Sequence, residues 1–108
     1  MDKEIMKGSI DILILSLIKT GDMYGYEIAK AIKEKSDGLY EMGEGTLYPA
    51  LKRLETKKLL EAYWGNSEMG ARRKYYRITK NGIKELSKKL EDWNKASNLV
   101  KLCLEGGR

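Results

Sequence analysis

The side chains best equipped for chemistry in this chain are cations and hydroxyls crowded into its middle. Thr46, Tyr48, Pro49, Lys52, Arg53 and Lys57 fall within one short run, and Arg72, Arg73 and Lys74 follow as three consecutive cations. From Glu44 to Lys80 there are nine Lys or Arg against four Glu, an excess equal to the net charge of the whole chain, +5. The remaining residues are balanced, with twelve cations and twelve acids. Positive charge gathered in one segment marks a polyanion binder, because ammonium and guanidinium groups displace the counterions of phosphates. Acidic membrane surfaces draw such patches too. The missing chemistry narrows the field further. There is no histidine, hence no usual general base and no commonest metal ligand. Cys103 is the only cysteine, so neither an intramolecular disulfide nor a thiolate cluster can form, and a reducing cytoplasm is the expected home. No nucleotide loop, zinc spacing or triad occurs. The expectation is a protein that is not an enzyme and uses no cofactor or metal.

Such cations need elements to hold them. In Gly45–Leu60 the residues Leu47, Leu51, Leu54 and Leu59 recur at near-helical spacing, leaving Thr46, Tyr48, Pro49, Lys52, Arg53 and Lys57 on the other side. Proline is tolerated in a helix's first turn, so this helix is expected to begin at Gly45 or Thr46. A short helix with a dry leucine face and a basic outer face suits reading a DNA groove. Lys52 and Arg53 would hold phosphates, whereas Tyr48 has two readings, DNA contact or packing against the wing. After the helix, residues 61–64 and 72–78 read as strands joined by a glycine-bounded loop at 65–70. Helix, hairpin and cations together describe a winged helix, the hairpin being its wing. Strand residues alternate faces, so Arg72, Arg73 and Lys74 cannot all point one way, and at least one should meet an acid or an aromatic ring. Trp64 is expected to pack.

The flanking segments complete the scaffold. Met1 to Lys7 reads as a loose lead-in. A first helix spans about Ser9 to Thr20, its stripe of Ile10, Leu13, Ile14, Leu17 and Ile18 widened by Ile12 and Leu15, which implies burial on two sides. A second runs from about Tyr24 to Lys35, and Gly25 near its start permits a close approach. Leu39 to Met42 is a candidate first strand of a three-stranded sheet. Thr79 is a natural N-cap for a last helix reaching about Leu104, with Glu105 to Arg108 a frayed tail. Its Ile83, Leu86, Leu90, Trp93, Ser97, Val100 and Leu104 form a heptad seam. The seam either packs on the first helix of its own chain or joins two copies, with Ile10, Leu13, Leu86, Leu90, Trp93 and Val100 at the interface. Trp93 either fills that interface or, with its symmetry mate, sandwiches a planar aromatic molecule, with Glu91 or Asp92 at the mouth. Cys103 is expected to be a small buried hydrophobe. The apolar run Ile10 to Ile18 is too short to span a bilayer, and no membrane anchor is expected.

Several stretches together resemble the PadR family of bacterial transcriptional regulators. They are Lys7–Leu15, Tyr24–Gly25–Tyr26–Glu27–Ile28, the run Gly45–Thr46–Leu47–Tyr48–Pro49–Ala50–Leu51–Lys52–Arg53–Leu54–Glu55, and Arg72–Thr79 followed by Gly82. A single C-terminal helix is similar to the family's short subgroup, which includes a multidrug-responsive regulator. The chain departs from the pattern at Lys57–Lys58, where the family commonly places glycine. A lysine there costs on the order of 1 kcal/mol or shifts the helix end by a residue. The resemblance implies a mainly α fold with a small antiparallel β-wing: a winged helix-turn-helix DNA-binding domain over 1–80 and a C-terminal dimerisation helix and tail over 81–108. It implies a homodimeric repressor on an inverted-repeat, double-stranded DNA operator, relieved by a small planar, hydrophobic ligand. The rival is a winged-helix interaction module whose basic wing binds an acidic protein partner.

Overall fold

The computed structural model describes residues 1–66 and 70–106. Five helices and three strands follow in the order α1 (Lys3–Lys7), α2 (Ile10–Thr20), β1 (Met23–Tyr24), α3 (Gly25–Lys35), α4 (Glu44–Thr56), β2 (Leu60–Asn66), β3 (Arg72–Ile78) and α5 (Lys80–Leu104). The lead-in is more ordered than its charge suggests. Asp2 caps α1 by accepting from the Glu4 amide at 2.8 Å, and Met6 is buried. Helix α2 is the hub, packing against α3, α4, α5 and β3. Ile14 and Leu15, on different sides of it, are both fully buried. Its wide apolar stripe is therefore covered by its own chain. Ile10 and Leu86, expected at a subunit interface, are 7 % and 2 % exposed inside this same core and have little surface left to offer. Leu13 stays half-buried, lining an apolar cavity of about 340 Å³ with Met1, Met6 and Tyr40.

The sheet is antiparallel with strand order β1-β3-β2. Its first strand is Met23–Tyr24, not Leu39–Met42. Tyr24 pairs with Tyr75 of β3 and at the same time serves as N-cap of α3, where its amide donates to Glu27 Oε1. Segment 39–42 has no ladder to join. The Tyr40 amide donates to Ser36 Oγ at 3.1 Å instead, and Leu39 is 68 % exposed. In the hairpin, Leu60 opposes Ile78 and Ala62 opposes Tyr76 on the face that meets the helices; Tyr63 and Tyr75 oppose one another on the outer face. The expected turn at 65–70 has its centre, 67–69, outside the described residues, as are 107 and 108 of the tail.

Helix α4 begins at Glu44, so Pro49 sits in its second turn rather than its first. Proline has no N–H to give the Gly45 carbonyl, so the helix forgoes one i→i−4 bond there. The helix closes with paired bonds, Leu59 N–H to Leu54 O and Lys58 N–H to Glu55 O, each at 2.9 Å. This closure needs a left-handed residue, and Lys58 supplies it at φ +63. Helix α5 starts as expected, Thr79 Oγ1 accepting from the Gly82 amide at 2.9 Å. Gly82 is required there by close packing, because a Cβ would collide with the Leu59 carbonyl oxygen. Beyond Leu86 no residue of α5 is buried, and Leu90, Trp93, Leu99, Val100, Leu102 and Leu104 are exposed. Cys103 is exposed as well, contrary to expectation, because none of the described residues covers this end.

Candidate nucleic-acid interface

Helix α4 is anchored by Leu47, Ala50, Leu51 and Leu54, each at most 2 % exposed. Full burial of a leucine contributes about 1.5–3 kcal/mol, so these side chains set the helix's rotation firmly. Gly45, Pro49, Lys52 and Thr56, spaced by four, three and four residues, fall on the side opposite them, and all are exposed. Thr46 and Tyr48 flank this strip, exposed but to either side. Tyr48 lies over Gly25, where an added Cβ would sit 2.6 Å from its hydroxyl; the close approach expected at Gly25 is by this ring. Tyr48 thus packs while keeping 47 % of its surface.

The cations sort into engaged and free. Arg53 turns toward α2, and its guanidinium donates to Asp11 at 2.6 Å. Lys74 reaches Glu55 at 3.4 Å, tying the β2–β3 hairpin to α4. Arg73 lies over the Tyr24 ring at 4.5 Å, and Arg72 lies over the Trp64 ring at 5.0 Å. The three neighbouring cations of β3 therefore do divide between faces. Lys52 and Lys57 are exposed on α4 and its C-cap. On the sheet's outer face, Tyr63 stacks on Tyr75 at 5.7 Å, and Tyr75 meets Tyr24 edge-on at 5.5 Å. The Tyr63 hydroxyl donates to Asp22, and that bond raises its pKa above the ordinary phenol value. Burial does the same for Tyr76 on the inner face.

Two features were not legible in the sequence. Trp64 is 60 % exposed, so it does not pack into the body; period-two alternation places it on the Lys74 face, but distance from the core decides its exposure. Leu99 and Leu102 lie off the heptad seam and make the far end of α5 apolar on more than one side.

A basic, outward helix strip beside a β-hairpin that is braced to it by Lys74–Glu55 is the layout of a winged helix-turn-helix. The family model described as the transcriptional regulator PadR-like family matches residues 14–88, which run from within α2 through α3, α4 and the wing to the start of α5. The chain belongs to the PadR-like family of transcriptional regulators. Among similar solved structures is a transcriptional regulator from Clostridium thermocellum, at 43 % identity and TM-score 0.85, covering 92 % of this chain and 96 % of that one. Another is a PadR-like transcriptional regulator from Bacillus cereus, at 32 % identity and TM-score 0.82, covering 96 % and 99 %. An uncharacterised protein of Lysinibacillus sphaericus is 40 % identical over 103 residues, 95 % of this chain and 94 % of its own length. As a PadR-like regulator the protein binds DNA and is not an enzyme. Among the described residues no helix is long and apolar enough to cross a membrane.

Proposed function

We propose that this PadR-like protein is a homodimeric repressor that grips an inverted repeat through two α4 helices and two wings. The observation carrying the reading is the far half of α5, a projecting helix whose Leu90, Trp93 and Val100 are left uncovered along one seam. Exposed apolar surface of this extent is normally covered by a partner, and a seam repeated on an identical chain is self-complementary about a two-fold axis. That axis would set the two α4 helices into successive major grooves, about 34–36 Å apart. Lys52, Lys57 and Thr46, with Pro49 and Tyr48 shaping the surface, would meet the duplex from α4. Arg72, Arg73 and Lys74 would serve the wing, and Arg53 would reach a phosphate only by sharing itself with Asp11.

Relief by a small planar molecule is supported by Trp93, left exposed on the seam of the terminal helix. Trp93 walls a cavity of about 380 Å³ with Asp11, Arg53, Lys89 and Asp92. The Asp11–Arg53 pair lies in that wall, so an occupant competing for either group would disturb the seating of α4. The test is sedimentation together with footprinting on the DNA upstream of the protein's own coding sequence. The expected result is a dimer protecting two half-sites, with Leu90→Glu plus Val100→Glu giving monomers that bind weakly. In Lys52→Ala the salt dependence of binding should fall by about one unit. A monomeric wild type that footprints equally well would overturn the reading, and binding of an acidic protein in place of a specific DNA site would favour an interaction module.

A further inference from the structure

Helix α2 has cavities on two of its sides. Asp11 and Ile12 line the one walled by Trp93, whereas Leu13, Ser16 and Leu17 line the other, of about 340 Å³, between α1, α2 and the end of α3. The body of this second cavity is aliphatic: Met1, Met6, Leu13, Leu17 and Ile32. Unbranched thioether side chains adapt to an occupant by changing rotamer. The polar groups on the wall are those of Ser16, Lys35, Ser36 and Tyr40. Ser36 Oγ is already committed, bonding the Lys33 and Tyr40 carbonyls and the Tyr40 amide. The Ser16 hydroxyl, the Tyr40 hydroxyl and the Lys35 ammonium have no hydrogen-bond or ion-pair partner among the described residues. All three can donate, and no acid lines the cavity. The last carbonyls of α3 point no unmet charge into it, because Ile32, Lys33 and Glu34 accept from the amides of Ser36, Gly38 and Asp37.

We propose that this cavity binds a medium-chain fatty carboxylate, with the alkyl chain among Met6, Leu13, Leu17 and Ile32 and the head group at Lys35 and Tyr40. Three observations select that occupant. The volume lies at the small end of ligand sites, which run from about 300 to 1,000 Å³, so one slender molecule fills it. The unengaged groups are donors and the one charge among them is positive, so an anion finds partners where a cation finds none. Tyr40 is the sole ring on the wall, so a planar aromatic molecule has no pair of faces to stack between, whereas a flexible chain meets flexible side chains. Lys35 ends α3 and Tyr40 is tied to its C-cap, Ser36, which places both at the start of the segment leading into α4. Met42, 5 % exposed, fastens that segment to the core. A seated ligand would therefore bear on the linker between α3 and α4. The assignment needs neither the dimer nor the DNA pose proposed above.

The experiment titrates the whole chain, without DNA, with hexanoate, octanoate and decanoate. Decanol and decyltrimethylammonium serve as neutral and cationic probes of matched length, all below micelle formation. Binding is read by calorimetry and by methionine-methyl NMR, each signal being identified by its loss in the Met→Leu variant. The expected affinity rises about three- to fourfold per added methylene. Decanoate should move the Met6 signal and leave that of Met23, which does not line the cavity. It should also bind more tightly than the alcohol or the cation. Lys35→Met combined with Tyr40→Phe should weaken decanoate about tenfold and leave decanol unchanged. Should the double variant melt lower than wild type, Lys35→Met alone is read, at about two- to fivefold, since that side chain is exposed. Equal binding of the cation or the alcohol, an unmoved Met6 signal, or a response abolished by Trp93→Ala would overturn the proposal. Because no DNA enters the test, each of these failures leaves the DNA-gripping pose standing.

Discussion

Lys58 offers the sharpest test of how this chain closes α4. The residue occupies the left-handed region at φ +63, forced there by the bonds from Lys58 and Leu59 back to Glu55 and Leu54. An L-residue with a Cβ loses about 1–2 kcal/mol in that conformation. Glycine would escape this strain but would return about 0.4–1 kcal/mol through its greater freedom in the unfolded chain. The balance predicts that Lys58→Gly stabilises the protein by about 0.5–1 kcal/mol. For a domain of this size that is a rise in Tm of about 2–8 °C. The assay is thermal unfolding followed by circular dichroism at one fixed protein concentration, since assembly would shift Tm by mass action. Lys58→Ala is the control. It removes the same charge but keeps the Cβ, so it should gain nothing. The bond that Thr79 Oγ1 gives the Lys58 carbonyl at 2.8 Å involves backbone and should survive in both variants. Should the glycine variant melt no higher than wild type, or the alanine variant rise equally, backbone strain would not be the reason that glycine suits this position.

Two other substitutions test the packing. Gly82→Ala would drive a methyl into the Leu59 carbonyl and within 2.7 Å of Ile78 Cγ1, so a loss of about 1–3 kcal/mol is expected in denaturant unfolding; a neutral result would mean α5 can slide at little cost. For Asp11 and Arg53, a double-mutant cycle to alanine should give a coupling near 0.5–1 kcal/mol, since Arg53 keeps 46 % of its side chain exposed and solvent screens the pair. A coupling near zero would remove this pair as a link between α2 and α4.

Local signals were legible in the sequence. Four of the five helices emerge from apolar spacing and from caps such as Thr79, because helical periodicity and capping involve residues only a few positions apart. The hairpin showed through its β-rich runs and its cations. The left-handed C-cap was foreshadowed at Lys57–Lys58. Strand β1 was not legible, because two residues have no period and become a strand only when β3, some fifty positions away, lies beside them. Pro49 misled by one turn, because α4 already has its first turn from Glu44 and forgoes only the one bond that proline's missing N–H would have made.

Composition and spacing by themselves determined that one segment of this protein is cationic, that its middle helix is dry on one side, and that its last helix carries a seam. They could do so because charge and hydrophobic period are properties of the chain, unaltered by folding. Only the tertiary structure decided which cations stay free and which are held, as with Arg53 by Asp11 and Arg73 by Tyr24. It alone put Ile10 and Leu86 in the core and Trp64 in solvent. Those outcomes depend on which distant element comes to lie within a few ångströms of a side chain, and no local pattern encodes that distance.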